Sequence, residues 1–411
     1  MDVMVQRCAG LDVHRDTVVA TVRIPGERGL RPQQTRTFGT TIAALEDLAR
    51  WLTELGVTLA GMEATGVYWR TVFDALEPHM QCWLLNAQHL HNVPGRKTDV
   101  ADSAWICQLV EHGLVRPSFV PPRDIRDLRD LTRLRKAQSN ERTRAIQRVE
   151  KVLQSSGIKL TSVASQAFSK SARAMLEALM AGTTDPEALA QLAKGRLRSK
   201  IPQLQQALAS RFRVEHHGAL VAQLLAHIDM LDQNIAALDA RVAERLADLD
   251  DLVELVCTIP GVARRTAEVL IAECGPDMSV FPSSGHLASW AGVCPGNNAS
   301  GGKRRSGKTR PGSRWLRQAL TEAAWAAARS KGTYFASHHA QVRGRRGAPK
   351  AVGTTRHDIL VAYYHVVKDR VPFRELGPDW LTRRHSVEHR TARLLRQLEA
   401  LGHKVTIEPA A

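Results

Sequence analysis

The sequence predicts an α/β domain followed by a longer, mostly α-helical region. Three observations carry that expectation: strand and helix signals alternate from residue 5 to about 115, Pro117, Pro121 and Pro122 then punctuate the chain, and from Asp124 the composition turns to charged, helix-forming segments. With 411 residues, the chain has room for two or three separate cores.

Cys8 to Val13 and Val18 to Ile24 read as a hairpin, and Thr35 to Phe38 as a third strand. An amphipathic helix fits Ile42 to Leu55, a buried strand Val57 to Met62, a helix Tyr68 to Leu76, a strand Gln81 to Leu85 and a helix Asp99 to His112. Three strands followed by alternating helices and strands give the order of an RNase-H-like domain, expected over residues 1–122. Further on, Leu225, Ile228, Leu231, Ile235, Leu238, Val242, Leu246 and Leu249 recur at steps of three and four, a heptad-like seam. The charged helix Asp124 to Leu153 fits as its antiparallel partner, so the seam is expected to serve a helical hairpin or a dimer contact and residues 123–250 to be a helical, coiled-coil linker. Helix signals at Ala263 to Glu273, Ser283 to Trp290, Trp315 to Ser330 and Lys350 to Val367 predict a mostly α-helical domain over 251–375. Residues 376–411 form a basic tail with a helical stretch from Arg390 to Leu401.

Lysine and arginine total 57 against 41 acidic residues, a net charge of +16, which favours a polyanionic partner and makes nucleic acid the leading candidate. No apolar run reaches the roughly 20 residues that span a bilayer, and the first residues lack the basic-then-apolar layout of a secretion signal, so a soluble, cytoplasmic protein is expected. The six cysteines are scattered without a C-x-x-C pair and read as reduced core residues.

Gly10-Leu11-Asp12-Val13-His14 places an aspartate inside an apolar strand, where an uncompensated charge would be costly. Gly61-Met62-Glu63-Ala64-Thr65-Gly66 leaves a carboxylate at the C-terminal end of a buried strand, where open α/β sheets bind their ligands. In Lys97-Thr98-Asp99-Val100-Ala101-Asp102, two aspartates three positions apart share one helix face. Either aspartate alone also suits a helix N-terminus through its dipole. Together, Asp12, Glu63, Asp99 and Asp102 are an all-oxygen set suited to Mg²⁺ or Mn²⁺ and to phosphoryl transfer.

The run from Cys294 to Arg310 reads as a flexible, glycine-rich loop dense in cations and free of acidic residues. Within it, Ser300 stands beside two glycines, where its hydroxyl could reach a phosphodiester, with Lys303, Arg304 and Arg305 to stabilise the developing charge. A loop that only holds nucleic acid is the plainer alternative, and Ser306 is a second serine followed by glycine. Candidate nucleic-acid contacts are Lys303, Arg304, Arg305, Lys308, Arg310, Arg314 and Arg317. Ile259-Pro260-Gly261-Val262 fits either a hairpin that offers backbone N–H groups to phosphates or an ordinary tight helix start. His216-His217, His338-His339 and the His89-x-His91 pattern match no metal-ligand spacing and read as surface or core histidines.

These motifs, with Gly312-Ser313-Arg314-Trp315-Leu316-Arg317, resemble in order and spacing the DEDD transposases of the insertion sequence 110 family, the bridge-RNA-guided recombinases, over nearly the whole chain. The resemblance implies a RuvC-like domain with Asp12, Glu63, Asp99 and Asp102 as Mg²⁺ ligands, a coiled-coil linker, and a transposase domain whose Ser300 attacks DNA. It further implies donor and target DNA, a guide RNA from the element's own end, and a homodimer or homotetramer in which the serine of one chain works with the metal site of another. Against that stand two readings: a RuvC-like nuclease with water as nucleophile, and a non-catalytic nucleic-acid-binding scaffold.

Overall fold

Apolar and β-branched residues favour the first three strands: β1 (Cys8–Val13), β2 (Thr17–Arg23) and β3 (Gln33–Gly39) form an antiparallel meander. In this computed structural model, residues 2–27, 30–64, 66–86, 102–163, 169–296, 298–301, 303–307, 309–383 and 387–407 are described. They divide into two units, 1–120 and 121–411.

In the first unit, α1 (Ile42–Glu54) leads to β4 (Leu59–Glu63), parallel to β1, and α2 (Trp69–Leu76) leads to β5 (Gln81–Leu85), parallel to β4. The sheet order is β3-β2-β1-β4-β5. This mixed five-stranded sheet is consistent with the RNase-H-like expectation. One face, carrying Ala9, Leu11, Ala60 and Met62, packs on Leu45, Leu48 and Leu52 of α1 and on Val72, Phe73 and Leu76 of α2. Full burial of each such large aliphatic side chain contributes about 1.5–3 kcal/mol.

The other face receives α3 (Asp102–Glu111), through Cys8, Leu59 and Leu85 against Ile106, Cys107 and Val110. At two positions the sheet has no side chain to interpose: a Cβ on Gly10 would lie 2.1 Å from the Ser103 carbonyl oxygen and 2.2 Å from the Cys107 nitrogen, and one on Gly61 2.6 Å from Val110. Thr21 and Ser103 share a hydroxyl hydrogen bond of 2.8 Å beside that contact. At the far end of α3, Glu111 is fully buried and ion-paired to Arg23 and Arg31 at 2.8 and 2.7 Å.

The second unit begins with two long helices, α4 (Arg123–Ser155) and, further along the chain, α8 (Ala219–Arg245). They run antiparallel: Arg135 pairs with Asp239 at 2.9 Å and Arg142 with Asp232, while Ala145, Val149 and Leu153 share a core with Ile228, Leu225 and Val221. Every seam residue from Leu225 to Leu246 is buried. The stretch between the two helices, which the sequence left unassigned, supplies α5 (Lys170–Met180), α6 (Pro186–Gln191) and α7 (Ile201–Leu208), whose Met175, Leu176, Leu189 and Leu204 close the same core.

There follow α9 (Asp250–Cys257), α10 (Arg264–Cys274), α11 (Ser284–Trp290), a two-stranded hairpin β6 (Asn298–Ser300) and β7 (Lys303–Ser306), then α12 (Arg314–Ala327), α13 (Tyr334–Arg346) and α14 (Ala348–Asp369). Two helices, α15 (Trp380–Arg383) and α16 (Val387–Ala400), come last. No helix among the described residues is long and apolar enough to cross a membrane.

The glycine contact under α3 predicts opposite effects for two alanine substitutions. Gly10→Ala is expected to destabilise by ~3 kcal/mol, since backbone rather than a flexible side chain must move. Gly344→Ala, exposed in the last turn of α13 with nothing within 4 Å of the new Cβ, is expected to stabilise by about 0.5 kcal/mol. Thermal unfolding of the two variants beside the wild type checks both signs.

Candidate active site

Asp12, Glu63 and Asp102 are brought to one end of the first sheet. The parallel register Gly10↔Gly61 and Leu11↔Met62 continues to set Asp12 beside Glu63, on strands roughly 4.8 Å apart. Side chains two apart on a strand share a face, so Asp12 and Glu63 lie on the face to which Gly10 and Gly61 admit α3. Asp102 is the first residue of α3, next to the Ser103 that rests on Gly10. All three are half-buried. His14 Nε2 lies 3.1 Å from Asp12 Oδ2, a partner the sequence did not reveal.

As a donor set these carboxylates suit a hard divalent cation; Asp12 and Glu63 stand near the C-terminal ends of parallel strands, where α/β sheets hold ligands, and Asp102 at the start of the helix over them. Among the described residues, no three His, Cys, Asp or Glu side chains are gathered closely enough to hold a metal ion. Asp99, the fourth carboxylate of the expected set, lies outside the described residues.

The region around Ser300 is not the flexible loop that its composition predicted. Asn298 pairs with Ser306, Ala299 with Arg304 and Ser300 with Lys303, with an irregularity between Asn298 and Ala299. Gly301 has φ +57°, the left-handed conformation that tight hairpin turns demand and glycine adopts without strain. Ser300 is thereby the last residue of β6, directly across from Lys303, with Arg304 and Arg305 next on β7. Lys308 lies outside the described residues.

The excursion that carries the hairpin is closed at its base, where a Cβ on Gly312 would stand 2.2 Å from the Ala291 carbonyl oxygen. Ser313 then caps α12, its Oγ accepting from the Leu316 nitrogen at 3.3 Å and donating to Glu273 Oε2 at 2.9 Å. Arg310 and Arg314 are exposed and Arg317 is half-buried; Arg314 stacks over the Trp315 ring at 4.6 Å, and Arg317 donates to the Arg310 carbonyl.

Glu273, on α10, is 1% exposed and receives a two-pronged bond from Arg133 at 2.7 and 2.9 Å. Arg129, also from α4, lies 3.8 Å from the same carboxylate and donates to the backbone carbonyls of Ala272 and Glu273. One turn earlier, buried Glu268 accepts from Arg135 at 2.6 Å. These charges are paired and hydrogen-bonded, the condition under which a buried ion is tolerated.

Two family models match the chain. A DEDD transposase model of the IS110 type covers residues 9–158, and the model described as "Transposase IS116/IS110/IS902 family" covers residues 253–340. The chain belongs to the IS110 family of transposases. The first match spans Asp12, Glu63, Asp99 and Asp102, and the second spans Ser300 and the basic residues of its hairpin. The chain is also similar to the "Insertion element IS110 uncharacterized 43.6 kDa protein" of Streptomyces coelicolor, 32% identical over 108 residues. That alignment takes in 26% of each chain, so the chain spans about a quarter of the length of that curated relative.

Several residues of this IS110-family chain take roles that local sequence signals did not disclose. In Ile259-Pro260-Gly261-Val262, Gly261 has φ +86° and a Cβ there would meet the Ala323 oxygen at 2.4 Å, so close packing on α12 accounts for the glycine. Among the histidines, His339 is buried and bonded to Thr355 Oγ1 at 3.1 Å, His338 pairs with Asp358 at 2.6 Å, and His217 accepts from the Arg213 nitrogen at 3.0 Å. His89 and His91 lie outside the described residues. Burial pushes the Cys82 thiol up to about 12, so this cysteine stays protonated and unreactive at neutral pH.

Two predictions follow from this packing. Glu273→Gln leaves Arg133 and Arg129 facing a neutral partner in a buried site and is expected to cost roughly 3 kcal/mol or more, read by denaturant unfolding. Burial, then Arg343, hold His339 below its ordinary pKa. The unfolded chain therefore binds this proton first as pH falls through about 6.5, so stability is complete above that value and declines below it. Melting temperatures between about pH 7.5 and 5 should show that decline, with a shallower slope in His339→Gln.

Proposed function

We propose that the chain is a DNA transposase that cleaves and rejoins strands through a serine–DNA intermediate, aided by a divalent cation and directed by a non-coding RNA. The observation that carries this reading is the meeting of Asp12, Glu63 and the start of α3 at one end of a mixed five-stranded sheet, in a chain whose second family match contains Ser300. In this reading residues 1–122 are a RuvC-like catalytic domain, 123–250 a coiled-coil linker, 251–375 the transposase domain and 376–411 a basic tail, and the chain works as a homodimer or homotetramer.

Asp12, Glu63, Asp99 and Asp102 would hold Mg²⁺ or Mn²⁺, and such an ion neutralises charge on phosphoryl oxygens when bound. Ser300 Oγ forms a bond to phosphorus while the bond from phosphorus to one bridging oxygen of the strand breaks. The hydroxyl proton leaves Oγ, and the departing oxygen takes up a proton. One phosphodiester is exchanged for another, so the reverse attack rejoins the strand without net hydrolysis. Lys303, Arg304 and Arg305 on β7, with Lys308, Arg310, Arg314 and Arg317 beyond it, neutralise the DNA backbone, which makes binding fall with salt.

The test uses purified protein, element-end RNA, labelled donor DNA and Mg²⁺, with denaturing gels read for a protease-sensitive protein–DNA adduct. Wild type is expected to form the adduct, and Ser300→Ala and Asp102→Asn to lose it by about 10³-fold or more. Cleavage that survives Ser300→Ala without an adduct would establish a water-using nuclease instead. If Asp12→Ala left every measurable activity in place, the protein would be a binding scaffold.

A further inference from the structure

In the second unit, α4, α10 and α12 enclose a pocket of about 190 Å³ with Trp315 in its wall. Four cations reach it, and each already has a carboxylate partner. Arg133 is held by Glu273, Arg135 by Glu268, Lys136 by Glu322 at 2.7 Å, and Arg265 by Asp239. A phosphate entering here would meet cations whose charge is already balanced by carboxylates, so little net positive charge remains to attract it. A neutral planar ring with polar edges would break none of them.

The remaining lining suits such a ring. Thr132 and Ser139 spend their hydroxyl protons on the carbonyls of Arg129 and Arg135, which leaves both oxygens as acceptors. Glu322 and Lys136, both partly exposed at 56% and 29%, offer an acceptor and a donor at the mouth. The indole supplies an aromatic surface, with the Arg314 guanidinium 4.6 Å from its ring centroid. Outside the pocket the first turn of α12 carries Arg314 and Arg317, and Arg310 precedes it, cations placed to receive a sugar-phosphate backbone.

We propose that this pocket receives one unpaired nucleobase of a single-stranded nucleic acid, packed against Trp315, with the flanking phosphates along the first turn of α12. A nucleobase matches the volume, the charge balance and the combination of aromatic wall with polar edges. The proposal rests on the reading that the chain engages nucleic acid, and it names a contact within that engagement: an unpaired base rather than a duplex groove.

The experiment uses the full chain with labelled oligonucleotides in three forms: single-stranded RNA, single-stranded DNA and duplex DNA, with affinities from fluorescence anisotropy. Trp315→Leu is expected to weaken single-strand binding by about tenfold, with duplex affinity unchanged and most of the loss restored in Trp315→Phe. Val269→Phe, which narrows the pocket without touching an ion pair, should act in the same direction as Trp315→Leu and serves if that variant does not fold. A larger loss on the RNA or on the DNA strand identifies which one supplies the base, and either supports the proposal. Single-strand binding at the wild-type level in both variants, with duplex binding retained, overturns the pocket and leaves the nucleic-acid reading standing. Failure of the wild type to bind any of the three overturns both.

Discussion

The carboxylate of Glu273 is the point on which the second unit converges. It stands on α10, draws two arginines from α4, and accepts a hydroxyl from Ser313 at the start of α12. An ion this deeply buried is tolerated only when its partners arrive together with good geometry. Three helices far apart in the chain are therefore placed by one requirement, and the excursion bearing Ser300 returns to the fold at that same spot. The positions of the long helix pair and of the serine hairpin are in this sense one problem with one solution.

In the first unit the governing constraint is steric. With no side chain at Gly10 or Gly61, α3 approaches the sheet backbone closely, and its first residues come to the strand ends where Asp12 and Glu63 stand. A carboxylate in a strand interior would be a liability alone. Here its position is also one where a helix start and two strand ends coincide.

Much of this arrangement was legible in the residues. Short apolar runs and the period-3.6 pattern located β1, β5 and α1 to within a residue or two, β1 because both its faces are buried and α1 because it buries one face along its length. The seam from Leu225 onward was readable for the same reason. What escaped was whatever depends on distant partners. Glu111, Glu268 and Glu273 look like solvent-facing helix positions, and their arginines lie about 80 to 140 residues away. The β6–β7 hairpin escaped because serines, glycines and cations carry no apolar alternation, and only the turn chemistry of the glycine pair hinted at it. The Asp12 and Glu63 motifs were found from their sequence, but the reason for their glycines became clear only with α3 in place.

The antiparallel pairing of α4 with α8 also limits how such a chain can change. Its contacts are registered along both helices, with Arg142 meeting Asp232 and Arg135 meeting Asp239, a spacing of seven residues on each. Removing a single residue from one helix would swing everything beyond it by about 100° and turn apolar positions to water. The rod can therefore lengthen or shorten only in steps of about seven, matched on both strands of the hairpin. Relatives that differ in reach should differ by paired insertions of that size, one in each helix, rather than by gradual drift.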